Sequence, residues 1–147
     1  LLKILLIIIF IIGSIHNFYI AKENDVYISR KKILTTLLII FGLVSFYLCY
    51  TLDNTILGYI TVASAITYLI SFTFTPGIGK DGVTIMMGST TLIKNAKFND
   101  IKNIKYKETD NEDFKVIINV FGNEYHQFYK NRDKNKVVEL LKNVKRI

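Results

Sequence analysis

Three long apolar segments occupy the first half of this chain, and only one charged residue, Lys3, lies inside them. They run over about residues 1–19, 33–51 and 56–75. A helix needs roughly 20 apolar residues to cross the hydrocarbon core of a bilayer. All three segments approach that length, so the sequence predicts three transmembrane helices.

From residue 80 onward the character of the chain changes. Fourteen of the 19 Lys and Arg and nine of the 12 Asp and Glu fall there, so this part carries a charge of about +5. Two regions are therefore expected: a membrane region over residues 1–76 and a charged domain over 77–147. About 70 residues are few for a self-sufficient core. The domain is expected to lean on the membrane, on the helices or on a second copy of itself. Cys49 is the only cysteine, which excludes an internal disulfide and suits a small apolar position in a membrane helix. Heavy use of Ile, Lys and Asn, with one Pro and no Trp, resembles the product of an AT-rich bacterial genome. The expected location is a bacterial inner membrane. The chain opens on Leu1, which fits either a piece of a longer protein or a Leu-type start codon.

Charge placement gives an orientation. The first connection holds Lys22, Arg30, Lys31 and Lys32, the second holds only Asp53, and the third reaches Lys80 within a few residues. Basic residues in short loops stay on the cytoplasmic side. The first connection and the C-terminal domain are thus expected inside, with Asp53 and the N-terminus outside. Lys3 argues weakly the other way. A competing expectation makes the first segment a signal peptide with Lys3 as its basic start, but no small-x-small cleavage site follows it.

Segments two and three form a tight hairpin over Leu52-Asp53-Asn54. Tyr47, Tyr50 and Tyr59 cluster there, as tyrosine does at a membrane interface. Ala63, Thr67 and Ser71 recur every four residues, a spacing of small side chains that admits a neighbouring helix. No Asp, Glu, Lys or Arg lies in the middle of a segment, so an ion or proton pathway is not expected.

After Phe74-Thr75-Pro76-Gly77, whose Pro and Gly end the third helix, the period becomes strand-like. Strands are predicted near residues 83–87, 91–94, 101–107, 114–121 and 125–129. Phe114, Val116, Ile118 and Val120 alternate with Lys115, Ile117 and Asn119, as in a sheet packed on one face. Gly122-Asn123 is the expected hairpin turn, and residues 109–113 an acidic loop. A closing helix carries Val137, Leu140, Leu141 and Val144 on one face. Asn131 or Asp133 is placed to cap it, and Lys142, Lys145 and Arg146 suit its C-terminal dipole. The fold class expected is membrane α plus α+β, with an antiparallel meander and a C-terminal helix.

Several short motifs carry a resemblance. Gly77-Ile78 is followed by Asp81-Gly82-Val83 opening the first strand. The step Phe98-Asn99-Asp100-Ile101 then leads to the charged strand at 102–107, and the amphipathic helix closes the chain. Over about residues 30–147 this resembles bacterial proteins in which a membrane helix hairpin precedes a small pleckstrin-homology-like domain. It is also similar to an uncharacterised clostridial-type membrane family of the same layout. The resemblance implies a fold and a membrane location and brings no catalytic residues.

The remaining motifs point away from catalysis. Gly77-Ile78-Gly79-Lys80-Asp81-Gly82 has the letters of a dinucleotide fingerprint. That chemistry needs a strand before the glycines and a helix after them, and here the order is reversed. The glycines are read as a flexible juxtamembrane turn, and no cofactor is expected. His126 stands alone without a Cys or His partner, so no metal site is expected. Basic and acidic residues are interspersed in the second half, unlike a nucleic-acid surface. Lys22, Arg30, Lys31, Lys32 and Lys80 are expected at the cytoplasmic surface, where anionic lipid attracts them. The expected partners are the bilayer and another membrane protein or a second copy. The functional expectation is a non-catalytic scaffold or interaction protein. The alternative is membrane self-protection of the toxin-immunity type.

Overall fold

The computed structural model describes residues 1–87, 92–108, 113–142 and 144. Helices α1 (Leu2–Ala21), α2 (Lys32–Leu52) and α3 (Ile56–Phe74) match the three predicted segments to within two residues at each end. Each is long and apolar enough to cross a membrane. Thr55 caps α3 by accepting the Gly58 N–H at 3.1 Å, and Asn54 takes the left-handed conformation (φ 43°) that the tight α2–α3 turn requires.

Helix α1 runs alongside α3 in the same direction, and α2 packs more lightly against α3. The α1–α3 seam is made of small and polar residues. Gly13, Ser14, Asn17 and Ala21 are buried on α1, and Ser64 and Ser71 on α3. Gly13 is needed because a Cβ there would sit 2.5 Å from the Tyr68 ring. Of the predicted small-residue stripe, Ser71 lies in this seam. Ala63 and Thr67 are exposed, and the Thr67 hydroxyl donates to the Ala63 carbonyl.

The chain contains more strands than the alternation pattern predicts. The strands are β1 (Asn24–Tyr27), β2 (Gly77–Gly79), β3 (Gly82–Met86), β4 (Ile93–Lys97), β5 (Ile101–Glu108), β6 (Asp113–Val120) and β7 (Asn123–Lys130). They form two antiparallel sheets, β1-β2-β3-β4 and β5-β6-β7. The expected strand at 91–94 begins instead at Ile93, and Thr91 lies outside the described residues, as do 109–112 of the expected acidic loop.

Strand β1 is a correction to the sequence reading, because it comes from the connection between α1 and α2. Strand β2 is another. The glycines read as a flexible turn form a buried strand between β1 and β3. Cβ atoms added at Gly77, Gly79 and Gly82 would meet backbone carbonyl oxygens of Val26, Glu23 and Ala96 at 2.3, 2.3 and 2.4 Å. The glycines thus serve close strand packing.

The two sheets share one core. Ile78, Val83 and Ile85 from the first sheet meet Phe114, Val116, Ile118 and Val120 from the second. All four β6 residues predicted to face inward are buried. A 3₁₀ turn at Phe98–Asp100 joins the sheets on one side. On the other, the Ser29 N–H donates to the Phe128 carbonyl at 2.6 Å. Helix α4 (Lys134–Leu141) places Val137 and Leu141 into the same core, joined by Val144.

Neither Asn131 nor Asp133 makes the predicted side-chain cap; a 3₁₀ turn over Asn131–Asp133 leads into α4 instead. Lys142 is its C-cap, while Lys145 and Arg146 lie outside the described residues. The β6–β7 turn falls one residue earlier than predicted. Phe121 (φ 52°) and Gly122 (φ 79°) occupy it, both left-handed as a two-residue hairpin requires. Lys94 covers the Phe121 ring at 4.3 Å.

A continuous set of polar contacts ties the helices to this domain. Asn17 is fully buried. Its Nδ2 donates to Ser71 Oγ at 3.0 Å, and its Oδ1 accepts the Ile93 backbone N–H at 3.1 Å. The Thr75 hydroxyl donates to the Ser71 carbonyl, and Asn24 Nδ2 donates to the Thr75 carbonyl at 2.9 Å. Thr84 Oγ1 donates to Asn24 Oδ1, and Gln127 Nε2 donates to the Thr84 carbonyl at 2.8 Å. The Tyr129 hydroxyl donates to Gln127 Oε1. Such groups are costly to bury unless paired, and here each side chain finds a partner.

Asn17→Leu leaves the Ile93 N–H without its partner inside the protein, while Ser71 keeps its hydrogen bond to the Tyr68 carbonyl. The substitution is expected to cost about 1–3 kcal/mol, read as a lowered midpoint of thermal unfolding by circular dichroism. Faster amide exchange at Ile93 should accompany the loss.

Candidate functional site

The strongest clustering of charge lies where α2 begins. Arg30, Lys31 and Lys32 come from the α1–α2 connection and the first residue of the helix. Lys130 ends β7, and Arg132 follows it in the 3₁₀ turn. Together with Ser29, Asp113 and Asn131 they line a cleft of about 820 Å³. The register explains the meeting: Asp113 pairs with Lys130 across β6–β7, and the Ser29–Phe128 hydrogen bond brings the basic connection against that end of β7.

Five cationic side chains thus face one carboxylate. That carboxylate is engaged, since Ser29 Oγ donates to Asp113 Oδ1 at 2.9 Å. Among the described residues, the salt bridges pair Lys3 with Asp53, Arg132 with Asp133 and Lys134 with Glu108. Arg30, Lys31, Lys32 and Lys130 take part in none of them. Arg30 stacks on Phe74 at 5.7 Å and Lys31 on Phe128 at 4.2 Å, contacts that fix direction without neutralising charge. No side chain caps α2, so its N-terminal dipole adds to the positive field beside the cleft. The excess of positive charge suits the arrangement to attract an anion.

The five basic residues predicted at the membrane surface separate into two groups. Arg30, Lys31 and Lys32 line this cleft. Lys22 and Lys80 line a different depression together with Glu23, Asp25 and Asp81, where acids outnumber bases. Sequence reasoning missed Lys130 and Arg132. Neither belongs to a basic run, and only the β6–β7 register and the Ser29 bridge bring them to residues a hundred positions earlier. His126 is exposed on β7, and the described residues contain no cluster of three or more His, Cys, Asp or Glu able to hold a metal ion.

Comparison with family models, with curated proteins and with solved structures finds no match.

The opposite end of the helices carries a charge pair. Lys3 Nζ donates to both Asp53 carboxylate oxygens at 2.6 Å. The one cation that argued against the predicted orientation is thus matched by the acid of the α2–α3 turn. The hydrogen bond from Lys3 holds the Asp53 carboxyl below its ordinary value of 3.8. Elsewhere, Lys134 lowers the pKa of Glu108, and burial raises that of Tyr129.

Because the folded Asp53 pKa is depressed, the stabilisation from this pair is complete above the ordinary carboxylate value and disappears as pH falls through the lowered one. Lys3→Met should therefore reduce thermal stability at neutral pH, and the difference from the native chain should vanish in strong acid. Melting curves across an acid series in neutral detergent measure it.

Proposed function

We propose that this chain is a bacterial inner-membrane protein that acts by binding rather than by catalysis. Three membrane-spanning helices hold a pleckstrin-homology-like domain against the cytoplasmic surface, and the basic cleft is that domain's binding surface for an anionic group. Two packed antiparallel sheets closed by a C-terminal helix support the domain assignment. The convergence of Arg30, Lys31, Lys32, Lys130 and Arg132 on one cleft carries the functional reading. Two parts of the chain about a hundred residues apart supply these residues, and a solvated surface has no need to gather like charges, which repel one another. The place of the cleft matters as much as its charge. It opens at the first residues of α2, the level at which a spanning helix leaves the bilayer. An interaction protein working there meets lipid head groups and the acidic surfaces of membrane partners.

The orientation is checked by cysteine labelling in intact cells, in a Cys49→Ser background. Leu52→Cys, beside the α2–α3 turn, should react with an impermeant maleimide. Asn123→Cys, on the exposed β6–β7 hairpin, should react only after permeabilisation. The reverse pattern would overturn the assignment.

The cleft is checked with the full chain in neutral detergent. Glycerol 3-phosphate should bind and raise the unfolding temperature. Added salt should weaken binding by screening. The double variant Lys130→Ala/Arg132→Ala should lose most of the affinity while keeping the native circular dichroism spectrum. An unchanged affinity in that variant would remove the cleft as the binding surface.

A further inference from the structure

The basic cleft has an apolar neighbour. A groove of about 680 Å³ lies between the inner ends of α2 and α3 and the strands β3 and β7. Leu34, Phe72, Phe74, Ile85, Met86 and Phe128 form its apolar walls, and Glu124, His126 and Gln127 of β7 add polar groups to the lining. Ser29 and Lys31 line both cavities, so cleft and groove meet along one wall. Lys31 marks the border, with its ammonium 4.2 Å from the centroid of the Phe128 ring.

Each cavity alone says little, but the pair describes a ligand with two ends. One end is anionic, to satisfy Arg30, Lys31, Lys32 and Lys130, which no salt bridge among the described residues neutralises. The other is apolar and slender, to fill a groove whose volume falls in the usual ligand-site range of about 300–1,000 Å³. A free phosphate would leave the groove unfilled, and an acidic peptide would bring polar backbone against Leu34, Phe72 and Phe74. An anionic phospholipid has both ends in the right order. Its phosphate sits at the depth where a spanning helix emerges, and its acyl chain runs along the helices below.

We infer that cleft and groove together hold one anionic phospholipid from the surrounding leaflet, with its phosphate among Arg30, Lys32, Lys130 and Arg132 and an acyl chain along the groove. The inference rests on the cleft being the binding surface, as proposed above. Asp113, the one carboxylate in the cleft, accepts a hydrogen bond from Ser29 and is outnumbered there by five cations.

The test titrates the full chain in neutral detergent with phosphatidylglycerol, phosphatidylcholine and glycerol 3-phosphate, counting bound copies by native mass spectrometry. One phosphatidylglycerol should be retained, and phosphatidylcholine should be lost. Lys130→Ala/Arg132→Ala should weaken phosphatidylglycerol binding roughly 25-fold, at about fivefold per charge near a membrane surface. Met86→Glu places a charge in the groove at a half-exposed position. It should release the lipid while leaving glycerol 3-phosphate bound. Equal retention of both lipids would overturn the inference, as would lipid binding indifferent to Met86→Glu. If glycerol 3-phosphate binds while both lipids are lost, the cleft stands and the lipid does not. If no anion binds, both fail. Polyglutamate displacing phosphatidylglycerol from the cleft would assign the site to an acidic protein partner and also overturn the inference.

Discussion

One buried amide holds the two halves of this protein together. Asn17 sits near the end of an otherwise apolar helix, where an unpaired polar side chain would be costly. Its two ends are satisfied in different places, the nitrogen by Ser71 on α3 and the oxygen by the Ile93 N–H on β4. Three elements are therefore positioned by one side chain. The contacts that continue through Thr75, Asn24, Thr84, Gln127 and Tyr129 carry the same constraint to the far sheet. Apolar packing alone would let the domain slide over the helix ends, because hydrophobic contact has no direction. Hydrogen bonds do, and they fix the domain's orientation over α1 and α3. That orientation decides whether Lys130 and Arg132 meet Arg30 and Lys32.

The sequence declared some of this architecture and concealed the rest, for identifiable reasons. The three helices were legible because uninterrupted apolar length is a signal that needs no partner. Strand β6 was legible because a sheet buried on one face imposes a period of two, and Phe114, Val116, Ile118 and Val120 obey it. Strand β1 was hidden because Asn24–Tyr27 is four residues long, lies in a charged connection and finds its partner at Gly77–Gly79. Strand β2 was hidden for the opposite reason: its two glycines have no side chains to show a period. Asn17 follows His16 near the end of its helix, and nothing nearby in the sequence announces Ser71 or Ile93 as its partners.

The candidate site shows the same division. Arg30, Lys31 and Lys32 are adjacent in the chain, so their grouping was visible. Lys22 and Lys80 were joined to them by a rule about membrane topology, which sorts residues by side and says nothing of position within that side. The acids Glu23, Asp25 and Asp81 beside Lys22 and Lys80 make that depression a different electrostatic environment. Only the tertiary structure replaces two of the expected cations with Lys130 and Arg132.

Strand β1 also constrains the order in which the protein is made. Asn24 leaves the ribosome 55 residues ahead of its partner Gly79, with α2 and α3 between them. Until the chain has passed through both helices and returned, β1 has no strand beside it. The pair of helices acts as a loop whose closure is set by their hairpin rather than by diffusion of a flexible chain. The domain's first sheet is therefore completed only after both helices have been made. For the same reason a fragment starting after α3 is not the whole domain. It would lack β1, expose the edge of β2 and lose the Ser29 bridge that joins the two sheets.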